Sequence, residues 1–122
     1  MVTYFEIPVS DLDRAEGFYS AVFELDLVRE SVDGNEMSHF PDLGLEGCIL
    51  GSLSKGASYA PGDVGVRVYF RVQSIDVTLA RVVTKGGQIA YPKTDTAGHG
   101  FVAEFIDSEG NRIGLSEAQA NM

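Results

Sequence analysis

The sequence has little of what several classes of protein require. Its 122 residues include a single cysteine, Cys48, so neither an intrachain disulfide nor a CxxC metal site can form. Cys48 adjoins Ile49 and Leu50 and is predicted to be a small core residue. No run approaches the roughly 18 apolar residues of a membrane-spanning helix. No basic segment precedes the first strand pattern, so we expect a cytoplasmic protein.

Positive charge is also scarce. Nine Lys and Arg stand against 18 Asp and Glu, which gives a net charge of −9. Nucleic acids and anionic membranes both favour clustered cations, so we expect neither as a partner. The acidic residues are scattered along the chain, which is typical of a solvated acidic surface. The sequence also lacks the nucleophile elbow GxSxG and the phosphate-binding P-loop, two common signatures of enzymes.

What the sequence does contain is an internal repeat. The first 23 residues combine a short alternating run, a capping residue and apolar residues at helical spacing. A looser copy returns at Val66–Gly87, about 63 residues further on. Aligning Val9 with Val72 sets Asp13 on Asp76. With 44% hydrophobic residues, the chain is long enough for one domain, or for two modules that share a core.

Alternation, caps and turn residues predict the order βαβββ twice. The expected strands are Val2–Val9, Leu25–Glu30, Glu36–Phe40, Cys48–Leu53, Val66–Val72, Gln88–Tyr91, Phe101–Ile106 and Arg112–Ser116. A capping box at Ser10–Asp13 begins the first helix, and Asp33-Gly34 is a hairpin turn. Ser74 caps a second helix that runs to about Lys85, before Gly86-Gly87. Lys55–Asp63 is the expected linker and Pro92–Gly100 an expected loop.

Alternation also assigns each strand residue to one of two faces. The apolar set is expected to face the helices: Phe5, Ile7, Val9, Val66, Val68, Phe70, Ile113 and Leu115. The polar set then lies on the opposite face: Tyr4, Glu6, Arg67, Tyr69, Arg71, Arg112, Gly114 and Ser116. Charges there need partners or water. Either Glu6 pairs with Arg67 or Arg112, or the arginines bind an anionic group while the tyrosines stack or hydrogen-bond.

Two stretches of the sequence resemble a known family. Ile7–Ala15 with Phe18-Tyr19, and Phe105–Ile113, look like the opening and closing motifs of the vicinal oxygen chelate superfamily, which includes glyoxalase I, bleomycin resistance proteins and extradiol dioxygenases. The resemblance implies an α+β fold of two tandem βαβββ modules, residues 1–54 and 64–117 of a single domain 1–122. In the family these modules form a cupped mixed sheet with helices on its outer face and a cleft between the modules. It also implies a homodimer, which would cover open strand edges.

The resemblance implies a divalent metal, but the matching residues are unsuited to hold one. The family's ligands are His and Glu on the first and last strands of each module. The corresponding positions are Tyr4, Arg67 and Gly114, with Leu50 as the counterpart of Gly114 in the first module. None of these offers an imidazole or a carboxylate, and Arg67 brings a fixed positive charge. We therefore predict that the family-type metal centre and any other cofactor are absent.

A relocated metal site stays open as an alternative. Its candidates are His39 in the third strand, His99 in a glycine-rich loop, Glu6 and Glu104, although the spacing of the two histidines matches no motif. His99 is the better placed, since a loop can lean over a cleft. Glu104 is expected to point to solvent or to a partner chain, with a buried acid of raised pKa as the other interpretation. Asp107–Asn111 lacks the carboxylate spacing of a calcium loop and is interpreted as a turn.

Three functions are compatible with these observations. We predict a metal-independent, glyoxalase- or bleomycin-resistance-like protein that binds a small organic molecule, preferably anionic, in the cleft. The expected binding residues are Tyr4, Glu6, Arg67, Tyr69, Arg71, Arg112 and His99, and no catalytic residue is assigned. The alternatives are a lyase, isomerase or dioxygenase with a relocated metal, and a non-catalytic interaction module. A fold alone does not decide among them.

Overall fold

The computed structural model describes residues 1–44 and 49–119, so the core position predicted for Cys48 lies outside the described residues. The strands are β1 Tyr4–Pro8, β2 Val28–Val32, β3 Asn35–His39, β4 Leu50–Lys55, β5 Tyr69–Arg71, β6 Gln88–Asp95, β7 Phe101–Ile106 and β8 Arg112–Glu117, and the helices are α1 Leu12–Phe23 and α2 Ile75–Thr84. The chain divides into two compact units, Met1–Pro61 and Gly62–Met122. Each unit is a βαβββ module, so the predicted α+β fold is confirmed. Neither helix is long and apolar enough to cross a membrane.

The first unit has a mixed four-stranded sheet in the order β1-β4-β3-β2. β1 runs parallel to β4, and the other neighbours are antiparallel. The predicted Asp33-Gly34 turn joins β2 to β3. Both turn residues have positive φ, 52° and 77°, as a two-residue hairpin requires. Helix α1 covers one face of the sheet with the apolar residues that recur at helical spacing, and its buried residues are Leu12, Ala15, Phe18, Tyr19 and Val22.

The beginning of α1 differs from the prediction by one residue. Asp11, not Ser10, is the N-cap, because Asp11 has extended backbone angles and its Oδ1 accepts the Arg14 N–H at 2.9 Å. An aspartate is as good a cap as a serine, so the motif allowed either register. The helix ends at Glu24, whose left-handed conformation (φ 54°) turns the chain towards β2.

A polar link ties α1 to the sheet of the first unit. Glu16 Oε2 accepts the Ser38 hydroxyl at 2.5 Å and Arg29 Nε at 2.6 Å, and Arg29 also donates to Asp13. The hydrogen bond from Ser38, followed by the bond and charge of Arg29, holds the pKa of Glu16 below its usual range despite partial burial. The ionised carboxylate therefore stabilises the folded state.

This link predicts an acid-dependent loss of stability. Glu16 contributes fully above its unfolded pKa of about 4.3, and the contribution disappears as the pH falls through its lower folded value. Glu16→Gln should therefore be less stable than the wild type at pH 7, with a shallower acid limb in urea unfolding curves measured from pH 7 to pH 2. Ser38→Ala keeps the carboxylate but removes its first donor, and should flatten the same limb. Parallel acid limbs in wild type and Glu16→Gln would contradict the assignment.

The second unit repeats this architecture with its own sheet, ordered β5-β8-β7-β6. Helix α2 begins at the predicted cap, where Ser74 Oγ accepts the Val77 N–H at 3.2 Å. The buried core between α2 and the sheet consists of Ile75, Leu79, Val82, Ala103, Phe105, Ile113 and Leu115. On β7, Ala103 and Phe105 thus face α2, which leaves Glu104 on the opposite face.

Several predicted strand bounds are wrong. The strand expected over Val66–Val72 is reduced to the three residues of β5, and Val66, expected to face a helix, is 97% exposed. In the first unit, β2 and β4 begin at Val28 and Leu50, two or three positions later than expected. Alternation fixes which residues share a face, but the ends of a strand depend on where its neighbour stops pairing.

The strand β6 is longer than predicted. It continues through Pro92 to Asp95, where a loop was expected, and its pairing with β7 shifts register between Ile89 and Tyr91 and again between Tyr91 and Thr94. Proline cannot donate to a sheet, but β6 is an edge strand and Pro92 lies in an irregular stretch of it. Edge strands and bulges are where a sheet tolerates proline.

Candidate functional site

The two sheets can be matched strand by strand. The Val9 N–H donates to the Ser54 carbonyl at 3.0 Å, and the Val72 N–H donates to the Ser116 carbonyl at 2.9 Å. These bonds, with the pairs Glu6↔Ser52 and Tyr69↔Gly114, make Ser52 the counterpart of Gly114. The prediction that Leu50 is this counterpart is therefore wrong, because the repeat is one residue shorter between the first and last strands of the second module.

Glu104 is the centre of the polar face in the second unit. Its Oε1 accepts Arg112 Nε at 2.6 Å, and its Oε2 accepts Arg67 NH1 at 3.2 Å and the Tyr69 hydroxyl at 3.4 Å. Glu104 is 8% exposed, whereas the Arg67 and Arg112 side chains are 35% and 32% exposed. A buried carboxylate thus holds two arginine side chains that are each about one-third exposed.

The Tyr69 ring completes this surface. Tyr69 pairs with Gly114, which pairs with Glu104 on the next strand. A Cβ atom at position 114 would overlap the Tyr69 ring, so the absence of a side chain at Gly114 allows the ring to lie against β8. Tyr69 remains 47% exposed, so part of its ring is accessible to a ligand. We call the set Arg67, Tyr69, Glu104 and Arg112 the Glu104 cluster.

This geometry corrects the prediction made for Glu104. Glu104 was expected to point to solvent or to a partner chain, but it is buried and bonded within its own module, because its oxygens satisfy two arginines on neighbouring segments. Glu6 belongs to the other unit, and within their own units Glu6, Arg67 and Arg112 each have other partners. Both arginines pair with Glu104, and the Glu6 oxygens accept the hydroxyl groups of Tyr59 and Tyr4.

The other two predicted residues of this unit lie apart from Glu104. Arg71 Nε donates to Ser116 Oγ at 3.0 Å, two pairs beyond Tyr69 and Gly114 along the same two strands. His99 is exposed in the turn between β6 and β7, where its backbone N–H donates to Thr96 Oγ1 at 3.1 Å. The structure therefore brings Arg67, Tyr69 and Arg112 together, and it places His99 on a turn.

The polar face of the first unit is built from hydroxyl groups. Tyr4 Oη lies 2.5 Å from Ser52 Oγ, which lies 3.0 Å from Ser54 Oγ, and Tyr59 donates to Glu6 Oε1 at 2.8 Å. Burial, with a further contribution from Glu6, raises the pKa of Tyr4. The hydrogen bond to Glu6 raises the pKa of Tyr59. Both phenols therefore stay protonated at neutral pH and act as neutral donors.

His39 lies on the same polar face, opposite Ser52 in the β3–β4 ladder. Its Nε2 is 3.5 Å from Glu30 Oε2, and its ring centroid is 6.4 Å from that of Tyr4. The sequence prediction did not include Ser52, Ser54 or Tyr59 in the site. Alternation around Leu53 could have identified the two serines, whereas Tyr59 comes from the expected linker and carried no signal.

Comparison with known proteins now decides the family. The family model of the Glyoxalase/Bleomycin resistance protein/Dioxygenase superfamily matches residues 2–115. The chain belongs to this superfamily. The resemblance found in the opening and closing motifs is thereby confirmed. No curated protein sequence matches the chain.

Solved structures of the superfamily share the fold. TnmS3, an antibiotic binding protein from Streptomyces sp. CB03234, is 27% identical with a TM-score of 0.71, and the match covers 98% of this chain and 96% of that one. A glyoxalase/bleomycin resistance protein from the same organism is 26% identical with a TM-score of 0.69, covering 96% and 100%. The fosfomycin resistance protein FosX from Listeria monocytogenes is 18% identical with a TM-score of 0.73, covering 98% and 91%, and shows the fold alone.

The residues at the superfamily's ligand positions do not suit a metal. The Tyr4 hydroxyl is shared with Ser52, Arg67 is paired with Glu104, and the Tyr69 ring fills the space beside Gly114. Within residues 1–44 and 49–119, no three His, Cys, Asp or Glu side chains are grouped closely enough to hold an ion. A superfamily member without the usual metal centre stays our prediction, and no step of its chemistry is derived through a metal.

Proposed function

We propose that this superfamily member binds a small organic molecule on the polar faces of its sheets and needs no metal to do so. The observation that carries the proposal is the Glu104 cluster, in which two partly exposed arginines lie beside an accessible tyrosine ring. Guanidinium groups bind carboxylates and phosphates through paired hydrogen bonds, and an aromatic ring offers a flat apolar contact. An organic molecule with an acidic group matches both.

The similarity to TnmS3 supports a binding role. That protein is an antibiotic binding protein, and it matches this chain over nearly its whole length. Binding without chemistry needs a few fixed polar groups, and the Glu104 cluster supplies them. The cleft between the modules, and the parts that Tyr4, Glu6, Arg71 and His99 play in binding, stay predictions.

We test this proposal with aromatic ligands and a chelator. 1-Naphthoate is expected to raise the melting temperature of the protein and to bind in calorimetry equally well with EDTA and with added Mn²⁺ or Zn²⁺. The double variant Arg67→Gln/Tyr69→Ala removes one guanidinium and the ring and should weaken binding at least about tenfold, because each contact contributes about 1 kcal/mol or more.

Arg81→Gln is the matched control for this test. Arg81 lies on α2, which packs against the opposite face of the same sheet, so its loss should leave naphthoate affinity unchanged. Binding that requires Mn²⁺ or Zn²⁺ would contradict the proposal and favour the relocated-metal alternative. Failure of both 1-naphthoate and its neutral analogue 1-naphthamide to bind under either condition would favour an interaction module.

We also propose a homodimer. β2 ends the sheet of the first unit, and all five of its residues are exposed. Exposed strand edges favour a covering partner, and a second copy would provide one by symmetry. Light scattering at high protein concentration should give twice the mass of the 13.1 kDa chain. A monomer throughout the concentration range would contradict this part of the proposal.

A further inference from the structure

We infer that Glu104 determines the charge of the ligand that the second module accepts, and that the ligand class is an aromatic monoanion. The inference rests on the proposed function and concerns the same surface. It assigns a role in specificity to a residue that is only 8% exposed.

Arg67 and Arg112 use only part of their N–H donors to bind Glu104. Arg112 uses Nε and Arg67 uses one N–H of NH1 to bind Glu104. Each guanidinium has five N–H donors, and among the described residues the remaining ones have no protein acceptor. Both side chains are about one-third exposed, so a ligand can reach them at the surface. Glu104 thus holds the two guanidinium groups from their buried side and leaves the other N–H donors for a ligand.

The net charge of the Glu104 cluster limits the charge of the ligand that it can bind. Two guanidinium groups and one carboxylate leave the Glu104 cluster with one net positive charge. A ligand with a single negative charge neutralises it, whereas a dianion brings one charge too many into a partly desolvated surface that already contains a carboxylate. Glu104 is therefore a specificity-determining residue: it attracts nothing itself, but it limits the negative charge that the arginines can accept.

The Tyr69 ring of the cluster favours an aromatic ligand. Tyr69 is held against Gly114 and donates its hydroxyl to Glu104, so its ring is fixed next to the two arginines. A fixed aromatic face favours a planar apolar body on the ligand, and the adjacent donors favour an acidic group attached directly to that body. An aromatic carboxylate or sulfonate meets both requirements.

Two probes with similar tetrahedral head groups but different charges test this inference. Benzenesulfonate is a monoanion. Phenylphosphonate is measured at a pH high enough to remove both of its acidic protons, so that it is a dianion. Calorimetry should show that wild-type protein binds benzenesulfonate and discriminates against neutral benzenesulfonamide. In Glu104→Gln the affinity ratio of phosphonate to sulfonate should rise about tenfold, because the local net charge increases by one. A purely structural role would weaken both anions equally and leave the ratio unchanged, which would overturn the inference.

The controls separate local from global charge. Asp76→Asn makes the same change in total charge on α2, against the other face of the sheet, and should leave the ratio unchanged. Arg67→Gln lowers the local charge instead, so the ratio should fall, and this variant decides the question if Glu104→Gln does not fold. Equal binding of 1-naphthoate and 1-naphthamide by the wild type would overturn the charge selection while leaving the proposed small-molecule binding intact.

Discussion

Replacing Gly100 with alanine is expected to destabilise the protein by about 3 kcal/mol. Gly100 has a φ of 79°, and a Cβ atom there would overlap the backbone carbonyl oxygen of Glu117. The Gly100 carbonyl also accepts both the N–H and the hydroxyl of Thr96, at 3.0 and 2.7 Å, so the turn cannot rotate without losing these bonds. Strain and overlap therefore add at one position.

Gly86→Ala is the matched control for that prediction. Gly86 has a similar φ of 90°, but no atom lies within 4 Å of its added Cβ, so this variant should lose only about 1 kcal/mol. Urea unfolding of the two variants and the wild type measures the difference. Equal losses in Gly86→Ala and Gly100→Ala would show that the overlap with Glu117 is relieved by a small shift of the backbone.

Phe105→Ala is expected to lower the free energy of unfolding by about 4 kcal/mol. The Phe105 ring is fully buried between β7 and α2, and neighbouring Ala103, Ile113 and Leu115 are too constrained to fill the space it leaves. The residue lies next to Glu104 in sequence but on the other face of the strand. Its loss should therefore reduce stability without changing the preference of the folded protein for monoanions.

Val102→Ala tests that separation on the same strand. Val102 is only half-buried on the face that carries Glu104, so its truncation should cost about 1 kcal/mol or less. The midpoints and slopes of urea curves give the free energies, and calorimetry with benzenesulfonate and phenylphosphonate gives the ligand preference. A loss below about 2 kcal/mol for Phe105→Ala would mean that the core collapses around the cavity.

Local signals predicted much of the fold. The Asp33-Gly34 turn and the Ser74 cap each depend on a few adjacent residues, and both are confirmed. The errors arose where the structure depends on pairing with residues that are distant in sequence. Pro92 predicted a loop because proline lacks a donor, yet its place on an edge strand removes that objection. Val66 fitted an alternating run, but the described ladder of this segment with β8 begins only at Tyr69.

The candidate site was harder to predict, for a reason of register. Alternation places Tyr69, Arg71 and Arg112 on a polar face, and their pairing partners in the structure agree with it. It could not show that Glu104 is the carboxylate between Arg67 and Arg112, because this depends on Glu104 pairing with Gly114 across two strands. The apolar neighbours Ala103 and Phe105 concealed the importance of Glu104, since a charged residue among them resembles an exposed position.

The irregular β6 has a consequence for the behaviour of the protein in crowded solution. A regular open edge invites strands of other molecules to add in register, which is how sheets grow into fibrils. Pro92 withdraws a hydrogen-bond donor from the middle of this edge, and the two register shifts interrupt the even spacing that an incoming strand needs. The end of β6, which the sequence predicted to be a loop, thus protects the molecule against strand addition and fibril growth.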